Sequence, residues 1–149
     1  MKMAEDLTPI ATFAAARAAH AATVALPLRW REQAGAWGDW TAREVICHST
    51  GWEAEALARL RATRADPATP ARVDDDDRRN AEQVAARRAL DWAAALSELA
   101  AIHAALAAFP ATITPEEATH DGRFIAWAQG RADDFADHAT QLRAWRGSR

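Results

Sequence analysis

Apolar residues recur along this chain at intervals of three and four, the spacing that places side chains on one face of an α-helix. Four long segments show this pattern, and short stretches rich in proline, glycine or acidic residues join them. No segment reads convincingly as a strand. The pattern therefore predicts an all-α fold, a four-helix bundle formed by a single domain over residues 1–149.

The first predicted helix begins at Thr8 and Pro9, a cap residue followed by a proline whose missing N–H is harmless at the first helical position. Pro27 is expected to kink or end this helix, because proline clashes with the preceding turn. Leu28 and Trp30 indicate that a helical turn then resumes.

The second helix is predicted to begin at a capping box, in which Thr41 and Glu44 satisfy each other's backbone N–H groups. It runs to about Arg64, and residues 65–73 are predicted to form a loop. Residues 34–40, just before the helix, are predicted to be a turn that carries two large aromatic side chains.

The third helix is predicted over about residues 78–108, and Pro110 ends it. Four aspartates at 74–77 precede it, which suits a helix N-terminus because the helix dipole favours negative charge there. Residues 114–117 can form one short turn. The last helix is predicted over roughly residues 131–146.

Composition narrows the classes of function. The formal net charge is −3, which argues against electrostatic binding to nucleic acid. The single cysteine excludes an intramolecular disulfide and a thiol-rich zinc site. Charged residues and histidines interrupt every apolar run well before the ~20 residues that a membrane span needs. We therefore expect a cytoplasmic protein that uses neither a membrane nor a nucleic acid.

Three polar residues occupy positions that the helical period assigns to the core. His48 follows Val45 by three residues and precedes Trp52 by four, so it points the same way as both. Asp134 and His138 are four apart on the last helix, so their side chains can reach one cation together. Two imidazoles and a carboxylate suit Zn²⁺, Ni²⁺ or Fe²⁺ and leave coordination positions open. The alternatives are a buried histidine with one hydrogen bond and a surface histidine that the helical period assigns wrongly to the core.

The other reactive side chains are expected to have structural or surface roles. His20 is predicted to be a partly buried structural residue. The alternative is that it lines the same cavity as these three polar residues. Cys47 points about 100° away from His48 around the helix, so it is predicted to be a small buried apolar residue. The remaining imidazoles and the acids that flank Trp52 are predicted to face solvent: His103, His120, Glu53 and Glu55.

Three motifs together have a familiar order and spacing. They are residues 40–53, with a His eight positions after the first Trp; residues 80–88, followed by Trp92; and residues 133–145, which end in Trp. Together they resemble the DinB-like (DinB/YfiT) superfamily, and within it the ClbS/DfsB branch. The resemblance extends over about residues 8–146.

This resemblance implies a four-helix bundle of DinB/YfiT type that frequently forms a homodimer. Many members hold a divalent metal with one His from the second helix and an H-x-x-x-H pair from the last. By position, His48 matches the first ligand and His138 the last, while Asp134 stands where the family often has His. The superfamily includes metal-dependent thiol transferases and a mycothiol-dependent isomerase, and the ClbS/DfsB branch is associated with protection against reactive metabolites.

We therefore expect a metal-dependent enzyme that acts on a small electrophilic metabolite by hydrolysis or thiol transfer, with a low-molecular-weight thiol as a further cofactor. Its cleft is expected to be lined by tryptophans: Trp37, Trp40, Trp52 and Trp127. Two alternatives remain open at this point. One is a metal-free module that binds or sequesters a small molecule, and the other is a helical bundle used only for dimerisation.

Overall fold

A computed structural model describes residues 18–69, 76–120 and 123–148, and helices account for most of them. The helices are α1 (18–24), α2 (Ala42–Ala65), α3 (Asp76–Ala86), α4 (Trp92–Ala108), α5 (Pro115–His120) and α6 (Arg123–Gly147). Two strands, β1 (Ala34–Trp37) and β2 (Trp40–Thr41), form one small antiparallel sheet. The prediction of a mostly helical fold is confirmed.

The end of α1 follows the prediction. Its predicted start at Thr8 and Pro9 lies outside the described residues, but the helix ends at residue 24, ahead of Pro27. A 3₁₀ turn over Leu28–Trp30 then resumes the helical path. Proline's fixed φ and missing donor account for this interruption.

The segment before α2 is a β-hairpin where the sequence predicted only a turn. Trp37 and Trp40 are paired across it, and their rings meet edge to face with centres 5.2 Å apart. Gly38 makes the reversal with a φ of 56°, a left-handed conformation that glycine adopts without steric cost. The aromatic cross-strand pair stabilises strands that are too short to show an alternating pattern.

Helix α2 is the central element of the fold. The predicted capping box is confirmed, since the Thr41 hydroxyl accepts from the Glu44 N–H at 3.1 Å and the Glu44 carboxylate accepts from the Thr41 N–H at 2.8 Å. The helix contacts α3, α4, α6 and the hairpin. Its neighbours therefore cover most of its circumference.

The prediction of one continuous helix over residues 78–108 is wrong. Helix α3 ends at Ala86 and α4 begins at Trp92. The Asp91 carboxylate accepts a hydrogen bond from the Ala94 N–H at 2.8 Å, which starts a new helix in place of continuing the old one. Of the four aspartates, Asp76 and Asp77 open α3 as predicted, and residues 74–75 lie outside the described residues.

The last helix is longer than predicted. Helix α6 spans Arg123–Gly147 and runs through Gly130, which the sequence placed at its boundary. A single glycine costs a helix interior only about 1 kcal/mol, and packing elsewhere along α6 outweighs that cost. The short turn predicted over residues 114–117 is confirmed as α5, which extends to His120.

The buried apolar residues form clusters between the helices. One joins α2, α4 and α6 around Ile46, Leu99 and Phe135, and a second lies beneath the hairpin around Leu26 and Leu142. Within the described residues, no helix combines the length and the apolar character that crossing a membrane requires.

Candidate functional site

A polar cleft of about 230 Å³ opens between α2, α3, α6 and the hairpin. Its walls carry two imidazoles, two indole rings, three aspartates and two side-chain amides. All three metal ligands suggested by the sequence lie on these walls: His48, Asp134 and His138. Helices that are distant in the sequence thus bring the three residues into one cavity.

The two imidazoles on the cleft wall are both buried. His48 lies on α2 and is 5% exposed, while His138 lies on α6 and is 8% exposed. Their ring centres are 5.2 Å apart, with the planes at 75° to each other. Buried imidazoles that nevertheless line a cavity can act on a molecule held inside it.

Asp134 occupies the same wall as His138, one helical turn earlier, and is half-buried. In the described ranges, however, no three His, Cys, Asp or Glu side chains stand in an arrangement that could already hold a metal ion. The cleft therefore gathers the three residues without presenting them as a preformed ligand set.

The hairpin closes one side of the cleft with indole rings. The Trp37 ring centre lies 4.9 Å from that of His48 and 5.2 Å from that of His138. Trp40 contacts His48 as well, at 5.1 Å. These rings shield one side of both imidazoles from water.

Two of the four tryptophans that were expected to line the cleft do so. Trp37 and Trp52 line it, whereas Trp40 touches His48 without forming part of the lining. The side chain of Trp127 lies outside the described residues.

A serine on α2 contacts the imidazole on α6. The Ser49 hydroxyl lies 3.0 Å from Nδ1 of His138, and both side chains are buried. Ser49 does not form part of the cleft wall, whereas His138 does. The contact joins α2 to α6 next to the cleft, and sequence spacing does not reveal it.

Helix α3 is held against α2 by polar contacts next to the cleft. The Trp52 Nε1–H donates to the Asn80 side-chain oxygen at 2.6 Å. The Glu55 carboxylate accepts from Arg79 at 2.9 Å and from the Gln83 amide at 3.2 Å. These contacts fix the α3 wall of the cleft, which Asn80 helps to form.

The prediction that Glu53 and Glu55 form an exposed edge of α2 is wrong. Glu53 is 1% exposed, and the Glu55 side chain is 14% exposed and paired with Arg59 and Arg79. Both corrections have one cause, since α2 is surrounded by neighbouring elements and has a narrow solvent-facing side.

His20, His103 and Cys47 are not among the residues that line the cleft, and the side chain of His120, predicted to face solvent, lies outside the described residues. His103, predicted to face solvent, is buried against Phe135 with ring centres 4.6 Å apart, so that prediction is wrong. Burial, with a smaller contribution from the charge of His20, lowers the pKa of His103 to about 4. Cys47 is buried as predicted, and burial raises the pKa of its thiol.

A larger groove of about 500 Å³ lies elsewhere, between α2 and the end of α4. Alanines, Phe109 and two arginines line it, and its lining includes no imidazole or carboxylate among the described residues. Arg64 stacks on Phe109 at 4.4 Å and pairs with Glu117 at 2.8 Å, so it already serves the fold. The smaller polar cleft is therefore the better candidate for chemistry.

No protein-family model, curated protein or solved structure matches this chain. The DinB-like resemblance therefore rests on the sequence motifs alone. The expected homodimer and the thiol cofactor stay predictions as well. Function has to be argued from the residues of the cleft.

Proposed function

We propose that the chain is an enzyme that acts on a small electrophilic molecule in the polar cleft, using a divalent metal bound by His48, His138 and Asp134. The observation that carries the proposal is the pair of buried imidazoles, 5.2 Å apart, on the wall of one cavity. Two imidazoles and a carboxylate are ligand types that suit a divalent cation, and three protein ligands leave coordination positions open for water or substrate.

The spacing of the imidazoles supports a shared ion. Two imidazoles that bind one tetrahedral Zn²⁺ through Zn–N bonds of about 2.0–2.1 Å have ring centres about 5 Å apart. The separation between His48 and His138 is 5.2 Å. The separation of the two rings is therefore the one that a shared tetrahedral ion requires, and Asp134 would complete the set from the same wall.

The surrounding residues would prepare the cleft for a small substrate. Trp37 shields one side of both imidazoles, and a low local dielectric strengthens electrostatic contacts inside the cleft. Asp137 and the Gln141 amide lie on the same wall as Asp134 and can orient polar atoms of a bound molecule. A bound divalent metal would supply Lewis acidity and lower the pKa of a water or thiol nucleophile towards neutrality.

The proposal predicts that metal binding depends on His48. Tag-free protein is stripped with a chelator and titrated with Zn²⁺, and heat release is measured by calorimetry. Wild type should bind about one equivalent, and His48→Ala should bind roughly 100-fold more weakly or not at all, because one of only three ligands is lost.

His20→Ala is the matched control, since this imidazole lies outside the cleft lining and should leave zinc binding unchanged. If wild type takes up no zinc, or if His48→Ala binds it as tightly as wild type does, the metal-dependent proposal fails.

A metal-free binding module is the second candidate. The observation in its favour is that no three potential ligands are preformed within the described residues. Under this alternative, His48 and Asn80 would only donate or accept hydrogen bonds from the bound molecule. Binding of the small molecule, followed by the fluorescence of Trp37 and Trp52, would then be unaffected by a chelator. The metal-dependent enzyme would instead lose this binding when a chelator is added.

A further inference from the structure

The contact between Ser49 and His138 joins α2 to α6 at a residue that lines the cleft. The hydroxyl oxygen lies 3.0 Å from Nδ1, and Ser49 and His138 are 7% and 8% exposed. We propose that Ser49 sets the tautomer of His138 and is thereby a positioning residue of the cleft. In its metal-binding part, the inference rests on the function proposed above.

The direction of this hydrogen bond follows from the partners of other buried hydroxyls. Thr23 donates to the carbonyl of Ala19 at 2.8 Å, and Thr50 donates to that of Ile46 at 2.9 Å. These are the usual bonds to the carbonyl four residues earlier. Ser49 makes no such bond, and His138 is its one hydrogen-bond partner among the described residues.

A buried hydroxyl hydrogen without an acceptor is costly, so Ser49 donates its hydrogen to Nδ1 of His138. A neutral imidazole that accepts at Nδ1 carries its proton on Nε2. Because Ser49 engages Nδ1, Nε2 is the ring nitrogen through which His138 would act on a molecule in the cleft. In this tautomer, without a metal, the Nε2–H would be the group that donates to an oxygen atom of a bound molecule.

Binding a metal through Nε2 requires the opposite tautomer. The proton on Nε2 would be lost and one taken up on Nδ1, so that the imidazole would stay neutral with no net change in charge. The Nδ1–H then donates to the Ser49 oxygen, so the hydrogen bond reverses. A hydroxyl can donate in the first state and accept in the second, which alanine cannot do.

The position of Ser49 adds to its effect. It directly follows His48 on α2, so one rigid helix fixes both an imidazole of the cleft and the group that orients the other imidazole. Hydrogen-bond partners behind metal-binding histidines hold the ring orientation and the tautomer. Because Ser49 is buried, water cannot readily replace its hydroxyl.

The tautomer can be read directly by long-range ¹H–¹⁵N NMR of the metal-free protein at about pH 8.5, where an ordinary imidazole is neutral. Wild type should show His138 in a single tautomer with the proton on Nε2. Ser49→Ala should shift its two nitrogen resonances towards each other, as expected for exchanging tautomers. Thr50→Val removes a buried hydroxyl from the same helix and should leave His138 unchanged.

Zinc binding supplies the second measurement. Ser49→Ala should bind Zn²⁺ roughly 10–100-fold more weakly than wild type, the usual effect of losing a partner behind a ligand. Thr50→Val should bind as wild type does. In the zinc-loaded wild type, the proton of His138 should appear on Nδ1.

The NMR and zinc-binding measurements distinguish failure of the Ser49 inference from failure of the proposed function. A proton on Nδ1 in the metal-free wild type, or a His138 spectrum that is the same in Ser49→Ala, overturns the role of Ser49. Equal zinc affinity of Ser49→Ala and wild type overturns its positioning role towards the metal. Absence of zinc binding in wild type overturns the proposed function, and the metal-free spectra then still decide whether Ser49 sets the tautomer.

Discussion

The imidazole of His103 lies in surroundings that oppose its protonation. It packs edge-on against Phe135, and its Nε2 atom has no hydrogen-bond partner within the described residues. Burial is the main cause that lowers its pKa from 6.5 to about 4, and the charge of His20 adds to the shift. In the unfolded chain the pKa returns to its ordinary value. Between these two values the unfolded state therefore binds more protons than the folded state.

This difference predicts a pH-dependent loss of stability. As the pH falls from 6.5 to about 4, His103 should reduce the free energy of unfolding by up to about 3 kcal/mol, with no further loss below that window. His103→Leu should remove this component and be at least as stable as wild type near neutral pH, because an imidazole without a partner is replaced by an apolar side chain.

Urea unfolding gives the free energy of unfolding of wild type and of His103→Leu at about pH 7.5 and about pH 4.5. The contribution of His103 is the loss between the two pH values in wild type minus the loss in His103→Leu. Comparison with His103→Leu cancels the titration of groups that the two proteins share. Parallel losses in the two proteins would contradict the assigned cause.

Residues whose surroundings could be predicted from the sequence interact with close neighbours in the chain, whereas the others are surrounded by distant helices. Thr41 and Glu44 satisfy each other locally, so their spacing was sufficient to predict the cap. Glu53 and His103 are buried by other helices, and the amphipathic pattern of a single helix carries no information about how many neighbours cover it. No feature of the sequence indicates the contact of Ser49 with His138, because that contact exists only once α6 packs against α2.

At the scale of elements, the break between α3 and α4 also could not be predicted from the local sequence. Residues 87–90 form a helical run in composition, yet the chain turns there. Tertiary contacts hold the turn, since Arg87 pairs with Glu98 at 3.1 Å and Arg43 donates to the Leu90 carbonyl at 3.3 Å. Helix propensity is a weak prior that such contacts override.

The packing of α3 on α2 depends on a glycine. A Cβ atom at Gly51 would overlap the side-chain amide of Gln83 and lie only 2.7 Å from the Gln83 Cβ. Rotation of the Gln83 side chain cannot relieve the second contact, so α3 itself has to move. Gly51→Ala should therefore lower the free energy of unfolding by about 1–3 kcal/mol, the usual cost of overpacking.

Gly130→Ala is the matched control for this substitution in urea unfolding. A Cβ there meets nothing within 4 Å. Alanine in the interior of α6 should therefore raise stability by about 0.5–1 kcal/mol. If Gly51→Ala gave a similar gain, close packing of α3 on α2 would not explain why glycine occupies that position.

At the scale of the whole molecule, periodicity was sufficient to predict helices but not their arrangement around α2. The spacing of Asp134 and His138 placed them on one face of α6, yet only the packing of α6 against α2 brings His48 within 5.2 Å of the second imidazole. The cleft therefore depends on the tertiary fold, and a cation bound there would link two helices that are distant in the sequence.

Such a link predicts that zinc stabilises the entire fold. A ligand that binds the folded state alone adds about 2.7 kcal/mol at a concentration 100 times its Kd, which corresponds to roughly 5–10 °C in Tm for a chain of this size. Thermal unfolding followed by circular dichroism should show this rise in wild type and in His20→Ala, but not in His48→Ala, where α2 no longer contributes a ligand. An equal rise in Tm for His48→Ala would mean that zinc binds the protein at another position. That result would contradict the proposed metal site in the cleft.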